Sequence, residues 1–294
     1  MEIVHGQRPD RQIGDVWWCH RPRLDHGPGV VQRIWVDVSR ETSGPGRSHR
    51  TSHHVKRRTV FHVKHGVSRE TNPLASGAMT RLHLFDLDGT LMYGSAAPVE
   101  ISRQLGVSAE IAKLERSFAA REIGPHQFSV AAHALWAGLT PEHVRAAFDG
   151  APWLAGIRDV WQEIRQRGEY CAVVSLSPSF FVELLLEWGA HAAHGSVFPE
   201  VPFTRPVEAA GILTPEAKVM VADRLCEQFG VTRSDCVAYG DSGTDIHLFE
   251  AVSVSVAVNA RPHLAARATH VYEGRDLREV YQLVAVARPG VDAS

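Results

Sequence analysis

The sequence predicts an α/β protein whose core is a doubly wound parallel sheet, with a helical cap inserted after the first strand. From residue 81 onward, apolar strand segments alternate with amphipathic helical segments, a pattern typical of parallel strands joined by right-handed helical crossovers. Two of the strands end in carboxylates, at the edge of the sheet where such folds place their sites. A block with helical periodicity and no convincing strand separates the first two strands of the main sheet.

These observations divide the chain into three parts. We expect a catalytic core at residues 79–93 and 152–294, a helical cap at 94–151, and an N-terminal extension at 1–78. The alternative for the middle block is that its helices simply pack on the sheet.

The predicted elements follow in chain order. The first strand covers residues 81–85, and the helical block runs from about residue 98 to 149. Within that block, Pro125 and Pro141 are typical helix-start residues, and Thr140 is placed to cap the second of these helices. The remaining elements are a helix at 157–166, a strand at 170–175, a helix at 179–188, short strands and turns at 193–211, a helix at 214–229, a strand at 236–239, a helix at 246–252, a last strand at 253–258, and helices from 262 and from 277.

Composition places further limits on the protein. The 294 residues are 44% hydrophobic, enough for a buried core, and contain no apolar run of the length that spans a membrane. The four cysteines show neither a CxxC pair nor the spacing of a disulfide framework, and residues 1–30 lack the apolar stretch of a secretory signal. We therefore expect a cytoplasmic protein.

The formal net charge of −2 hides an uneven distribution. Residues 1–78 carry 13 Lys and Arg against 7 Asp and Glu, whereas residues 79–294 carry 18 against 26. The basic segment is consistent with a nucleic-acid-binding arm centred on Lys56, Arg57 and Arg58, or with a disordered tail.

Short repeats in this segment favour a third interpretation. Val-Ser-Arg-Glu-Thr occurs at 38–42 and again at 67–71, and Phe-His-Val-Lys-His occurs at 61–65. The palindromic DNA TGTTTCACGTGAAACA encodes the first motif in one reading frame and the second motif in another. This DNA resembles the centromere-like site of bacterial ParB-type partition proteins. Our hypothesis is that residues 1–78 are site-bearing DNA read as protein, with the natural start at Met79, so nucleic acid is not the favoured partner.

The most informative stretch is Leu-His-Leu-Phe-Asp-Leu-Asp-Gly-Thr-Leu at 82–91. Asp86 and Asp88 lie two residues apart and therefore on the same side of an extended chain. Carboxylates at the end of a buried strand are costly unless a cation or a ligand meets them. A catalytic role explains this pair better than a turn or a helix cap.

Four motifs in order resemble those of the haloacid dehalogenase superfamily, in its phosphoserine-phosphatase-like branch. They are Asp-Leu-Asp-Gly-Thr at 86–90, Ser175 after an apolar strand, Lys218, and Gly-Asp-Ser-Gly-Thr-Asp at 240–245. The resemblance covers essentially all of residues 81–282. It implies a Rossmann-like core, a helical cap in the position predicted above, and phosphoryl-transfer chemistry.

The resemblance also implies roles for the matching residues. Asp86 is expected to be the nucleophile that forms an aspartyl-phosphate, and Asp88 to protonate the leaving oxygen and then deprotonate the attacking water. Mg²⁺ would be held by the carboxylates of Asp86 and Asp241 and the backbone carbonyl of Asp88. Thr90, Ser175 and Lys218 are expected to bind the phosphoryl oxygens, with Ser177 as an alternative to Ser175. Asp245 is expected either to support the metal and Lys218 or to cap the next helix.

The function expected from these residues is a Mg²⁺-dependent phosphomonoesterase acting on a small phosphorylated metabolite. The alternatives are a phosphotransferase or phosphomutase of the same superfamily, and a DNA-associated protein that uses the basic arm.

The substrate is less well determined by the sequence. Phosphoserine phosphatases hold their substrate with an acid shortly after the first motif and an arginine in the cap, but residues 92–97 contain no acid and 127–135 no arginine. Phe128, Trp136 and Tyr93 are expected to line the cap and to suit a less charged ester. Alternatively, Glu100, or Glu122 with Arg121, serves from a shifted position.

Overall fold

The computed structural model describes residues 80–285. The predictions for the extension, including its basic arm, its repeats and a start at Met79, fall outside the described residues.

A six-stranded parallel sheet forms the centre of the described chain, and it confirms the predicted fold class. The strands are β1 (Leu82–Phe85), β2 (Tyr170–Pro178), β3 (Ala192–Ser196), β4 (Cys236–Gly240), β5 (Val254–Val258) and β6 (His270–Tyr272). Their spatial order is β3-β2-β1-β4-β5-β6. Leu82 of β1 is in register with Tyr170 of β2 and Cys236 of β4, so the carboxyl ends of these three strands are neighbours.

Helices connect the strands. They are α1 (Ala97–Gln104), α2 (Ser108–Ala119), α3 (Pro125–Leu135), α4 (Pro141–Asp149), α5 (Ile157–Gln166), α6 (Ser179–Val182), α7 (Pro215–Phe229), α8 (Ile246–Ala251), α9 (Pro262–Ala265) and α10 (Leu277–Ala285). The predicted starts at Pro125 and Pro141 are confirmed, and the hydroxyl of Thr140 accepts a hydrogen bond from the backbone N–H of His143 at 3.4 Å.

The block between β1 and β2 consists of α1 to α4, as its periodicity predicts. Within residues 97–149 the structure contains helices and turns and no strand of the sheet. The division into a core and a cap at residues 94 and 151 remains a prediction.

One strand was not predicted from the sequence, and two other elements differ in detail from their predicted form. β6 has only three residues, none of them buried, so it lacks the apolar run by which a strand is recognised. The helix expected at 179–188 is α6 followed by a 3₁₀ segment, Glu183–Trp188. β2 continues past Ser175 to Pro178, which brings a second serine into the strand.

Alternation along β1 gives each face of the sheet its own apolar layer. Leu82 and Leu84 pack on the side of α7 and α8, whereas Phe85 packs on the opposite side with Trp161 of α5. Asp86 follows Phe85, so the strand directs it to the side of α7. In the described part of the chain, no helix is long and apolar enough to span a membrane.

Candidate active site

The candidate active site lies at the carboxyl ends of β1, β2 and β4. Asp86 directly follows β1, Asp241 directly follows β4, and Ser175 and Ser177 lie near the end of β2. Neighbouring strands are about 4.8 Å apart, so this topology brings together side chains that are distant in sequence.

Lys218 is the cation of this site. α7 begins at Pro215, with Thr214 as its cap, and its buried face carries Lys218 over the end of β1. The Nζ atom of Lys218 donates to Asp86 Oδ1 at 2.8 Å and to Asp245 Oδ1 at 2.7 Å, and Lys218 is only 1% exposed. Burial alone would lower the pKa of Lys218, but the two carboxylates outweigh it and raise the pKa above its usual value. The lysine is therefore charged in the folded protein.

Asp245 supports Lys218 rather than capping the helix that follows it. Its Oδ1 accepts from Lys218, and its Oδ2 accepts from the backbone N–H groups of Asp241 and Ser242 at 3.2 and 3.3 Å. It makes no side-chain cap to α8. The sequence left open whether Asp245 supports Lys218 or caps the next helix, and the structure places its carboxylate beside Lys218.

Asp88 is held by different groups from Asp86. Its Oδ1 accepts from the backbone N–H of Ala97, the first residue of α1, at 2.7 Å. Its Oδ2 accepts from the hydroxyls of Ser175 at 3.1 Å and Ser177 at 2.6 Å. Burial raises the pKa of Asp88, although the bonds from Ser177, Ala97 and Ser175 oppose the rise. The two carboxyls of the first motif therefore have distinct environments.

Two glycines allow the carboxylates of Asp241 and Asp245 to approach the backbone. Gly89 has a φ of +76°, and a Cβ atom there would lie 2.2 Å from Asp241 Oδ2. At Gly240 a Cβ atom would lie 2.5 Å from Asp245 Cγ. Any side chain at either position would displace a carboxylate of the site.

Three carboxylates could hold a metal ion. One oxygen each from Asp86, Asp241 and Asp245 lies within 4.8 Å of the others. Asp241 Oδ1 is buried and has no hydrogen-bond partner within residues 80–285, whereas both oxygens of Asp245 are already engaged. The donor set is all oxygen, as Mg²⁺ prefers, and a cation would satisfy the unpaired oxygen of Asp241. The residues present therefore fit magnesium.

The electrostatics of the site agree with this fit. Burial and the charge of Asp245 raise the pKa of Asp241 to about 7. The same two causes hold the pKa of Asp86 well above its usual value, against the effect of Lys218. One lysine does not neutralise this cluster, so a divalent cation would relieve the remaining repulsion.

The hydroxyls of Thr90 and Ser175, both expected to bind a phosphoryl oxygen, differ in whether they already have a hydrogen-bond partner. Thr90 Oγ1 is buried without a partner in the described chain, so it is free to bind a ligand. Ser175 is fully buried, donates to Asp88 and accepts from the backbone N–H of Ser177 at 3.1 Å. In this state Ser175 contacts the acid of the first motif.

The expected lining of the cap is partly wrong. Trp136 is fully buried and donates its indole N–H to Ser102 at 2.8 Å, so it belongs to the interior of the helical block. Glu100 is 1% exposed and is paired with Ser95 and Arg103. It is therefore not available to a substrate.

Arg121 and Glu122 lie at the surface of the helical block. Both are exposed, and Glu122 accepts a hydrogen bond from the hydroxyl of Ser117. The expectation that this pair holds a substrate from a shifted position stays a prediction.

Two further residues contact or influence Asp88: Ser177, which the sequence offered only as an alternative to Ser175, and Glu115, which was not predicted. Ser177 makes a shorter bond to Asp88 than Ser175 does, and the two-residue spacing of these serines on one strand was the available signal. Glu115 of α2 is half-buried, and burial and the charge of Asp88 raise its pKa. Its position in the helical period of Ile111, Leu114 and Phe118 was the signal for it.

Comparisons with known proteins agree with this geometry. The profile of the haloacid dehalogenase-like hydrolase family matches residues 83–250. A phosphoserine phosphatase of Methanocaldococcus jannaschii is 28% identical over 207 residues, which cover 69% of this chain and 97% of that protein. A phosphoglycolate phosphatase of Halobacterium salinarum is 36% identical over 131 residues, 44% of this chain and 54% of that protein.

Solved structures give the same relationship. The phospho-aspartyl intermediate analogue of a phosphoserine phosphatase superimposes with a TM-score of 0.60 at 26% identity, covering 70% of this chain and 99% of that one. A substrate-bound phosphoserine phosphatase superimposes with a TM-score of 0.59 at the same identity, covering 69% and 98%. The chain belongs to the haloacid dehalogenase-like hydrolase family, in its phosphoserine-phosphatase-like branch, and is a phosphatase-type hydrolase.

Proposed function

We propose that the protein is a Mg²⁺-dependent phosphomonoesterase that acts through an aspartyl-phosphate on Asp86. The observation that carries the proposal is the separation of the two carboxyls of the first motif. Asp86 is bound to a charged lysine, whereas Asp88 is bound to two hydroxyls and a backbone N–H. Two carboxyls held in different environments suit a nucleophile and a proton donor.

In the first step, an oxygen of Asp86 attacks phosphorus and the bond from phosphorus to the ester oxygen breaks. Lys218 binds Oδ1, which leaves Oδ2 as the attacking atom. Asp88 gives its proton to the departing oxygen, and its raised pKa favours the protonated form that this step needs. The alcohol leaves, and the phosphoryl group stays on Asp86.

In the second step, water attacks the phosphoryl group and the bond from phosphorus to Asp86 breaks. Asp88, now ionised, takes the proton from that water and returns to its initial state. Ser175 and Ser177 hold Asp88 in position for both steps. Thr90, whose hydroxyl is unpaired in the described chain, is suited to bind a phosphoryl oxygen. Lys218 offsets the negative charge at Asp86 throughout.

Asp86, Asp241 and the backbone carbonyl of Asp88 would hold the magnesium ion, with Asp245 holding Lys218 and the backbone of Asp241 in place. When bound, the ion supplies positive charge to the phosphoryl oxygens. The unpaired Oδ1 of Asp241 supports this assignment.

The proposed substrate is a small phosphate monoester. The related phosphatases carry the names of two different esters, phosphoserine and phosphoglycolate, so the family relationship supports the reaction more than any one substrate. The absence of an accessible acid or arginine at the positions expected from phosphoserine phosphatases weakens the choice of phosphoserine.

Phosphate release from a panel of small esters tests this function. We expect Mg²⁺-dependent release that stops on chelation and returns when Mg²⁺ is added, with Asp86→Asn at background. Asp149→Asn, at an exposed position on α4, is the matched control and keeps wild-type activity. Release that persists in Asp86→Asn, or transfer to a second alcohol without release of phosphate, contradicts the proposal.

A further inference from the structure

Helix α2 directs one acidic side chain inward. Residues 111, 114, 115 and 118 recur with the spacing of one helix face, and each is buried or half-buried, whereas Glu110, Lys113 and Arg116 are exposed. Ile111 is fully buried, and the ring of Phe118 packs on Phe128 of α3 at 5.5 Å. Glu115 therefore occupies a position that helix periodicity reserves for apolar residues.

Helix α2 is connected to the carboxyl of Asp88 through α1. The first residue of α1 donates its N–H to Asp88, and α2 packs against α1. Burial and the charge of Asp88 raise the pKa of Glu115 to about 7. Within residues 80–285, the Glu115 carboxylate has no hydrogen bond or ion pair to another side chain. A half-buried carboxylate without a partner is unfavourable unless a ligand supplies one.

The basic residues of the helical block do not supply that partner. Arg103, Lys113, Arg116 and Arg121 are exposed, and Arg145 pairs with Glu187 through bonds of 3.0 and 2.7 Å. Glu115 is therefore the charged side chain that residues 94–151 direct inward without a partner, and its charge is negative. Such a surface attracts a cation and repels a carboxylate.

We propose that Glu115 binds a protonated nitrogen on the leaving group, so that the preferred substrate is the phosphate monoester of an amino alcohol without a carboxylate. This inference rests on the proposed phosphatase function. In this proposal Glu115 determines which leaving group is preferred, and Asp86 and Asp88 carry out the reaction. The amine would donate a charge-assisted hydrogen bond to the carboxylate and offset the cost of its burial.

Three esters of similar size separate the possibilities. 2-Aminoethyl phosphate carries the cation, propyl phosphate replaces the nitrogen by carbon, and O-phosphoserine adds a carboxylate. The measurement is kcat/KM for phosphate release, at a pH above the pKa of Glu115, for the wild type, Glu115→Gln and Glu110→Gln. Glu110 lies on the exposed face of the same helix and serves as the matched control.

We expect the wild type to prefer 2-aminoethyl phosphate to propyl phosphate by roughly 10- to 100-fold, the range of a charge-assisted hydrogen bond. Glu115→Gln should bring this ratio close to 1, while Glu110→Gln keeps it. O-Phosphoserine should be a poorer substrate than 2-aminoethyl phosphate for the wild type.

The inference is overturned if Glu115→Gln keeps the wild-type preference for 2-aminoethyl phosphate over propyl phosphate, or if the wild type prefers O-phosphoserine. Hydrolysis of propyl phosphate without any preference for the amine also overturns it but leaves the phosphatase function intact. If none of the three esters is hydrolysed, the phosphatase function itself fails.

Discussion

At the residue scale, Asp86 and Asp88 differ in the groups that hold them, although they lie two positions apart. Asp86 shares a charged, buried lysine with Asp245, and Asp88 receives three hydrogen bonds from neutral donors. Lys218 favours the ionised form of Asp86, but burial and the charge of Asp245 outweigh it and hold the pKa of Asp86 well above its usual value, so a bound divalent cation would be needed to favour the carboxylate. Burial raises the pKa of Asp88 as well, and the hydrogen bonds from its three neutral donors oppose that rise. The proposed division of roles between nucleophile and proton carrier rests on these contacts, which place Asp86 in the charged cluster and Asp88 among neutral donors.

Asp241 combines a cost to folding with its proposed role in metal binding. Its carboxyl is buried, and the neighbouring Asp245 helps to raise its pKa to about 7, so at neutral pH its ionised form destabilises the metal-free protein. We expect Asp241→Asn to raise the free energy of unfolding in the presence of a chelator by about 1–2 kcal/mol. The same variant should lose the stabilisation that Mg²⁺ gives the wild type.

Chemical denaturation with and without Mg²⁺ measures both effects of Asp241→Asn. Asp149→Asn, which removes an exposed carboxylate, should match the wild type under both conditions. Equal Mg²⁺ stabilisation of the wild type and Asp241→Asn would remove Asp241 from the metal site.

At the element scale, the turn after β1 brings the ends of β1 and β4 together. Gly89 is required there both for its φ of +76° and for the approach of Asp241, whereas Gly94 has a φ of +61° with nothing within 4 Å of its Cβ position. Alanine at either site should cost about 1–2 kcal/mol of stability for the left-handed backbone. Only Gly89→Ala should also lose most of the phosphatase activity, because it displaces the Asp241 carboxylate.

Steady-state assays of the two alanine variants, with unfolding measured in parallel, test this difference. Equal activity losses would mean that backbone strain, and not the position of Asp241, accounts for the effect.

The elements around the site were predictable because each leaves a local signal in the sequence. β1 and β4 are short apolar runs that end in Asp86 and Asp241, and α7 starts at a Thr-Pro pair that sets the position of Lys218. β6 was missed because its three residues have no buried side chain.

Partners between distant elements are harder to predict. The bond from Ser177 to Asp88 depends on β2 continuing beyond Ser175, and the burial of Trp136 depends on how four helices pack. Both are tertiary contacts, which the periodicity of one segment does not determine.

At the scale of the whole molecule, a buried polar network joins β1 and β4 to Glu169, the residue before β2, on the face of the sheet opposite Asp86. His83 Nδ1 lies 2.8 Å from the hydroxyl of Tyr239, and its Nε2 lies 3.1 Å from Glu169 Oε2. The ring of Tyr281 on α10 packs on His83 at 5.6 Å. This network is part of the core and is distinct from the proposed catalytic groups.

This network predicts a pH dependence of stability. Burial lowers the pKa of His83, against the effect of Glu169, while Arg81 and Arg167 lower it further. Because the unfolded chain then binds a proton at higher pH than the folded protein, stability should fall as the pH drops below about 6.5. One such group contributes a slope of up to about 1.4 kcal/mol per pH unit.

Unfolding measured from acid to neutral pH should show a smaller slope for His83→Gln than for the wild type. His191 and His194, whose pKa values burial also lowers, account for part of the remaining slope. His126→Gln, at an exposed position on α3, should keep the wild-type slope. If His83→Gln keeps the wild-type slope, the histidine is not the group that titrates.

The most direct test of the account is to trap the phosphorylated enzyme. p-Nitrophenyl phosphate has a leaving group that needs no proton, so Asp88→Asn should complete the first step and stall before hydrolysis. After an acid quench, intact-mass analysis and peptide mapping should find one phosphoryl group on Asp86 in this variant and none in Asp86→Asn. Phosphate release with no phosphorylated protein at any quench time, or a phosphoryl group on another residue, would contradict the assignment of Asp86 as the nucleophile.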